Sequence, residues 1–315
     1  MPRVIPILLA LLALQAALVL LFVVPGRSPE PHGLPVGVAG PATAMPRAAG
    51  LELHRYADAA AARTAIRERE IYGAVVPSEG RVLVASAASP VVAQTLRERL
   101  AGDAAREQGA SDGARVEDVV PVASGDPRGA ALNLLLLPLM IACFPLAALL
   151  GRARLSRGRM LGAVVAFSAL SGLALTALLR TMDALPSPYL AVSGAAALVV
   201  AAVALTAAGL FRALGPAGIG LAALLFIVLG NPGSGNASAP ELLPGFWRVT
   251  GQLLPPGAGG QAIRDAAYFA GHALAQPALV LTAWAILGAT LILIGRWAPK
   301  PAPAPAPEPR VAVPA

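Results

Sequence analysis

Few side chains in this 315-residue chain are of a type and spacing that could do chemistry. The histidines His32, His54 and His272 stand far apart, with neither metal-ligand spacing nor a nucleophile or second carboxylate beside them. The one cysteine, Cys143, lies inside an apolar run, which excludes an intrachain disulfide and a cysteine metal cluster. The one lysine, Lys300, sits in Ala-Pro-Lys-Pro-Ala, so the chain offers neither a phosphate-cradling Gly-Lys loop nor a buried Schiff-base lysine. The expectation is a chain that is not an enzyme, with no cofactor and no metal. What remains is arginine and proline in particular places. Arg152, Arg154, Arg157 and Arg159 crowd the connection 151–159 without an acid among them, as topology anchors or as a dock for a cytoplasmic partner. Pro138 and Pro145 interrupt one apolar run and should kink its helix, since each lacks the N–H that the hydrogen-bond ladder needs. Phe246, Trp247, Arg248, Pro255, Pro256 and Arg264 mark the segment 231–276. It reads either as two interfacial amphipathic helices, parted by Pro255-Pro256 with the aromatic rings at headgroup level, or as a gate over a substrate path. Arg264 and Asp265 are adjacent and are expected to cap or pair.

The elements that must carry these residues are mostly apolar. Hydrophobic residues make up 57% of the chain and charged ones only 13%, with a mean hydropathy of +0.69, which disfavours a soluble single-core enzyme. Six segments are read as long enough to cross a bilayer: Val4–Val24, Ala130–Leu150, Met160–Leu179, Tyr189–Phe211, Pro216–Gly230, which is the shortest, and Pro277–Ile294. The first reads as an uncleaved anchor, because its apolar run ends Phe-Val-Val-Pro without a small-residue cleavage site. No Asp, Glu, Lys or His lies inside any of them, which argues against a proton-driven pump. Small residues such as Gly215, Gly218, Gly220, Gly288 and Gly295 are expected to serve close helix packing.

Charge gives sidedness. Thirteen of the seventeen acids fall between Glu30 and Asp126, and the twelve arginines of the segment 25–129 nearly balance them. With both termini inside, Arg3, the arginine connection, Arg212, Arg296, Lys300 and Arg310 all face the cytoplasm. The net charge of +7 is thus a topology signal and no nucleic-acid patch. The localisation that follows is a bacterial plasma membrane, with lipid as the first partner.

Between the first two spans, 25–129 reads as a Pro/Gly-rich linker followed by a small α+β domain. A strand is expected at Leu34–Val38, then a helix from the Asp58 cap to about Glu70 and a strand Ile71–Val76. The turn Pro77–Gly80 leads to a hairpin partner Arg81–Ser86. A helix starting at Ser89-Pro90 carries the stripe Val92, Leu96 and Leu100, and a last strand covers Arg115–Val122. This order is βαββαβ, the split βαβ arrangement. So small a core is expected to lean on the membrane part or on a second copy. The fold class is therefore an α-helical integral membrane protein, with six transmembrane helices and a small α+β (βαββαβ-like) extracytoplasmic domain. Its parts are an anchor (1–24), the linker and domain (25–129), a five-helix bundle (130–298) and a disordered Pro/Ala-rich tail (299–315).

The stretches Tyr56-x-Asp-x-x-Ala-Ala-Arg-x-Ala-Ile, Glu70-Ile-Tyr-Gly-Ala-Val-Val-Pro, Ala85-Ser-Ala-Ala-Ser-Pro and Gly125-Asp-Pro-Arg-Gly carry a resemblance. Gly230-Asn-Pro-Gly-Ser-Gly, Leu243-Pro-Gly-Phe-Trp and Leu254-Pro-Pro-Gly-Ala add to it late in the chain. In these motifs and in its order of elements the chain resembles bacterial membrane proteins of the YhgE/Pip (phage infection protein) group, related to the membrane subunits of type-2 ABC exporters. The resemblance implies a permease-like subunit that is half of a homo- or hetero-dimer. It also implies outward passage of an apolar or amphipathic compound between bundles, and a separate ATPase docking on the cytoplasmic loops. The alternative is a non-transporting membrane scaffold that binds envelope components through the α+β domain.

Overall fold

The computed structural model describes residues 4–23, 30–40, 50–108, 115–153, 155–185 and 188–296. Arg154, much of the linker, and the Pro/Ala-rich tail lie outside the described residues, as do the side chains of Leu100–Gln108. The chain is mostly helical and carries one small sheet.

The sheet has five strands in the order β2-β1-β3-β4-β5. These are β1 (Leu34–Ala39), β2 (Leu51–Tyr56), β3 (Gly73–Val76), β4 (Arg81–Val84) and β5 (Arg115–Asp118). Helix α2 (Ala59–Arg67) follows β2, and α3 (Pro90–Gln108) follows β4. β1 lies parallel to both β2 and β3, β3 pairs antiparallel with β4, and β4 runs parallel to β5. The β3–β4 hairpin turns through a short 3-10 segment, Pro77–Glu79, and Gly80 in the left-handed region, where a side chain would be strained.

The expected six-element order therefore gains a strand, β2, between β1 and α2. The crossover through α2 consequently joins the edge strand β2 to β3 and passes over β1. β2 alternates Leu51, Leu53 with Glu52, His54, and as a half-exposed edge strand it carries no dense apolar run to announce it. β5 is also shorter than expected. Val119 N–H bonds to Val84 O and Ala87 N–H to Val120 O, after which Val122 N–H turns to the Ser86 hydroxyl at 3.0 Å.

The helical part is built around α7 (Tyr189–Leu214). Around it stand α4 (Ala131–Ile141), α5 (Cys143–Arg152), α6 (Arg157–Thr181), α8 (Pro216–Ala223) and α11 (Ala275–Ile294). Four helical stretches are long and apolar enough to cross a membrane: Ala131–Arg152, α6, α7 and α11. Two of the six expected spans, the first and the fifth, correspond to shorter apolar stretches. These are Leu12–Val23, within α1 (Val4–Val23), and Pro216–Leu229, where α8 runs into a π-helical turn. In α7 67% of the apolar stretch is buried, against 17–22% in the other three, so α7 is the core and its neighbours present apolar faces outward.

The helix bearing Pro138 and Pro145 is divided into α4 and α5 at Ala142. Pro138 cannot donate to Leu134, and Pro145 cannot donate to Ile141, so the ladder is weakened on both sides of that residue. Glycines set the closest approaches. A Cβ on Gly288 would lie 2.3 Å from the Leu205 carbonyl carbon, and one on Gly209 would lie 2.5 Å from Gly288 O, so α7 and α11 touch backbone to backbone there. Gly220 has nothing within 4 Å of such a Cβ and has no packing role of this kind.

Candidate functional site

The two halves of the molecule meet on the segment after Leu229. A 3-10 turn, Pro240–Leu242, leads to α9 (Gly245–Thr250) and then to α10 (Pro255–Tyr268). α10 is not a surface helix. Thirteen of its fourteen residues are buried, and it packs on α4, α7 and α11. Its first turns, Pro-Pro-Gly-Ala-Gly-Gly, carry almost no side-chain bulk. Gly259 sits so near Val199 that a Cβ would come within 2.9 Å of it. Proline at the first helical positions has no N–H to leave unpaired.

The sheet side reaches this helix through Arg69. Helix α2 ends in a Schellman motif: Glu70 N–H bonds to Ala65 O, and Arg69 N–H bonds to Ile66 O. The left-handed position of that motif, with φ of 63°, is held by Arg69 where glycine is usual. A non-glycine residue in this region is an outlier that calls for a reason. The reason lies at the tip of the side chain. Arg69 Nη1 donates to Asp265 Oδ1 at 2.8 Å, its Nη2 donates to Gln261 Oε1, and its guanidinium lies 5.3 Å over the Phe269 ring. Asp265 is wholly buried and its partner is only 11% exposed, so this is a shielded ion pair between the sheet domain and α10.

Further bonds join the same surfaces. The Tyr72 hydroxyl donates to Glu241 Oε2 at 2.7 Å, and burial, helped by Glu241, holds Tyr72 protonated far above the ordinary tyrosine range. His32 N–H bonds to Glu241 O, and Gly125 N–H bonds to Asp183 O at the end of α6. The sheet's apolar core includes Ala239, Leu242 and Phe269 from beyond the sheet domain. Between the surfaces lies a cavity of about 360 Å³, bounded by Arg69, Glu70, Tyr72, Glu241, Arg248, Gln261 and Asp265 among others.

The six residues of the expected gate do not form one cluster. Phe246 is 69% exposed and stacks edge-on against Trp247, which packs over Gly233. Arg248 is exposed at the cavity mouth and donates to the His32 carbonyl. Pro255 and Pro256 are buried at the start of α10, where Pro256 O accepts from Asn236 Nδ2 at 2.9 Å. Arg264 is buried at 2% exposure and donates to Asn236 O. Burial, with the like charge of Arg69, brings its guanidinium down to about 10, which still leaves it charged at neutral pH. Asp265 pairs with Arg69 and not with its neighbour Arg264, because consecutive helical residues point about 100° apart. Arg264 instead borders a small space beside Ser86, Asp126 and Tyr268.

At the other end of α6, Arg152, Arg157 and Arg159 are exposed and make no ion pair among the described residues. The Ser156 hydroxyl accepts from Arg159 N–H and caps the helix. The residues that join the halves, namely Arg69, Tyr72, Glu241, Gln261 and Asp265, escape a reading by motif. One signal does point to two of them: Glu241 and Asp265 are among only four acids outside 30–126.

No protein-family model, curated protein or solved structure matches the chain. What the fold defines is a helical chain with four apolar helices of membrane-crossing length and a small sheet domain fastened to one end of the bundle. That architecture is compatible with a membrane-embedded protein.

Proposed function

We propose that this chain is the permease-like membrane subunit of an ABC-type exporter, moving an apolar or amphipathic compound with energy from a separate ATPase. In this reading α1 and Pro216–Leu229 also span, making six, and both termini are cytoplasmic in a bacterial plasma membrane. The observation that carries it is the plugged end of the bundle. Helix α10 is buried among α4, α7 and α11 and is tied to the sheet domain by Arg69, so a displacement of bundle helices would be felt at the sheet.

The two ends of α6 support the sidedness. The exposed arginines stand at its start, and the sheet domain is bonded at Asp183 just beyond its end, 25 residues on. At 1.5 Å per residue these lie about 37 Å apart, more than the thickness of a bilayer's hydrocarbon core. The low burial of Ala131–Arg152, α6 and α11 leaves apolar faces for lipid and for the second subunit of a homo- or hetero-dimer. The resemblance to YhgE/Pip-type proteins supports the same reading.

The test is purification from native membranes. An ATPase should co-purify and be lost when Arg152, Arg154, Arg157 and Arg159 are replaced by alanine, and a deletion strain should accumulate the exported compound. If no ATPase associates and nothing accumulates, the exporter reading fails and a membrane scaffold takes its place.

A further inference from the structure

The cavity between the sheet domain and α10 holds hydrogen-bonding capacity that the chain itself does not use. Gln261 and Asp265 lie four residues apart on α10, and therefore on one face of it, and both line the cavity. They are 8% and 0% exposed. Arg69 donates to one oxygen of each. A guanidinium can only donate, so it fixes the Gln261 amide with its oxygen toward Arg69 and leaves Nε2 as an open donor. Gln261 Nε2 and Asp265 Oδ2 have no hydrogen-bond partner among the described residues. Both atoms belong to residues that line one cavity but are themselves closed to a water-sized molecule, so a ligand reaches them by turning the two side chains, and it would satisfy two buried groups that otherwise carry a desolvation cost.

The opposite wall adds charge. The Glu241 carboxylate takes one hydrogen bond, from the neutral Tyr72 hydroxyl, and forms no ion pair within 4 Å among the described residues. Of the two arginines at the cavity, Arg69 is committed to Asp265 and Gln261, and Arg248 to the His32 carbonyl. Those bonds leave the arginine charges in place, and Glu70, Glu241 and Asp265 outnumber them, so the lining carries one net negative charge.

The geometry points to a binding site for a protonated primary amine with an oxygen on the adjacent carbon, a 1,2-amino alcohol or its phosphate ester. Its ammonium sits between Asp265 Oδ2 and Glu241, and its oxygen accepts from Gln261 Nε2. Residues four apart on a helix have Cβ atoms about 5–6 Å apart, a span that a two-carbon amino alcohol bridges with a hydrogen bond at each end. At about 360 Å³ the cavity has room for more than this fragment. The same chemistry can arrive as a soluble amino alcohol or amino sugar, or as the headgroup of an ethanolamine phospholipid. The site does not rest on the exporter reading, and its test needs neither an ATPase nor transport.

The full chain, purified in detergent, is titrated by calorimetry with ethanolamine, with ethylamine (no oxygen), with choline (no N–H donor) and with ethylene glycol (no charge). In a second arm the chain is placed in nanodiscs of phosphatidylethanolamine or phosphatidylcholine, and retained lipid is counted by native mass spectrometry. Ethanolamine, or the ethanolamine lipid alone if the source is the membrane, should bind at least about tenfold more tightly than the choline counterpart. Glu241→Gln, which keeps an acceptor for Tyr72, should weaken binding about tenfold. Gln261→Met should erase the preference for ethanolamine over ethylamine. The proposal is overturned if folded wild-type protein binds neither probe, if choline binds equally well, or if both substitutions leave the affinities unchanged.

Discussion

Replacing Arg69 by glycine separates two effects that the structure superimposes at one residue. The left-handed position would be relieved, since glycine avoids a cost of about 1 kcal/mol there. Against that, Asp265 is wholly buried and would lose its cation, and breaking a buried pair from one side costs about 3–5 kcal/mol. The net loss falls on the docking of the sheet domain to α10, at about 2–4 kcal/mol, or roughly 30- to 700-fold in the equilibrium for opening that contact. Amide hydrogen exchange reads this equilibrium directly, because α10 amides exchange through local opening. Protection across Gln261–Ala267 should fall by that factor, while α7 amides far from the contact keep theirs. The double variant Arg69→Gly/Asp265→Asn removes the stranded charge and should recover at least about tenfold of the loss. Protection in Arg69→Gly within threefold of wild type would refute the reasoning, and so would a double variant no better than the single one.

Three further outcomes are expected. The Arg63 guanidinium, with that of Arg81, holds the Glu117 carboxyl down to about 2 from its usual 4.5. Its stabilising contribution is therefore present above pH 4.5 and lost as pH falls toward 2. Exchange protection of β5 should decline over that window, and Glu117→Gln should flatten the decline. Gly288→Ala forces a methyl into the α7 backbone and should destabilise by about 1–3 kcal/mol, whereas Gly220→Ala meets empty space and should gain up to about 1 kcal/mol. Melting of the detergent-purified variants would show the opposite signs, and equal shifts would contradict the packing assigned to Gly288. Reporter fusions at Glu79 and at exposed Ala270 should lie on one side of the membrane and one at Ser156 on the other, and a shared side would sink the sidedness argued from α6.

Local features were legible in the sequence wherever one short segment contains both partners. Asp58 accepts from Ala61 N–H at 2.8 Å, and Ser89 accepts from Val92 N–H, as their places before helices imply. The β3–β4 hairpin follows from Pro77 and Gly80, which turn the chain between two β-branched runs. The strand β2 was not legible, because half its side chains face away from the core and its only ladder is with β1. The burial of α10 was hidden for a related reason. Its glycines and alanines give little hydrophobic signal, yet their lack of bulk is what lets it enter the bundle.

The amino-acid sequence by itself determined the long apolar helices, the two ends of the charge distribution, and the absence of a Gly-Lys phosphate loop. Hydropathy, charge and residue type are properties of each segment alone. Only the tertiary structure decided what Arg69, Glu241, Gln261 and Asp265 do. Arg69 and Asp265 are 196 positions apart, and no periodicity links them. Adjacency suggested that Arg264 and Asp265 cap or pair. The helix turned the two side chains apart, and the fold brought in an arginine held at the left-handed end of α2 instead.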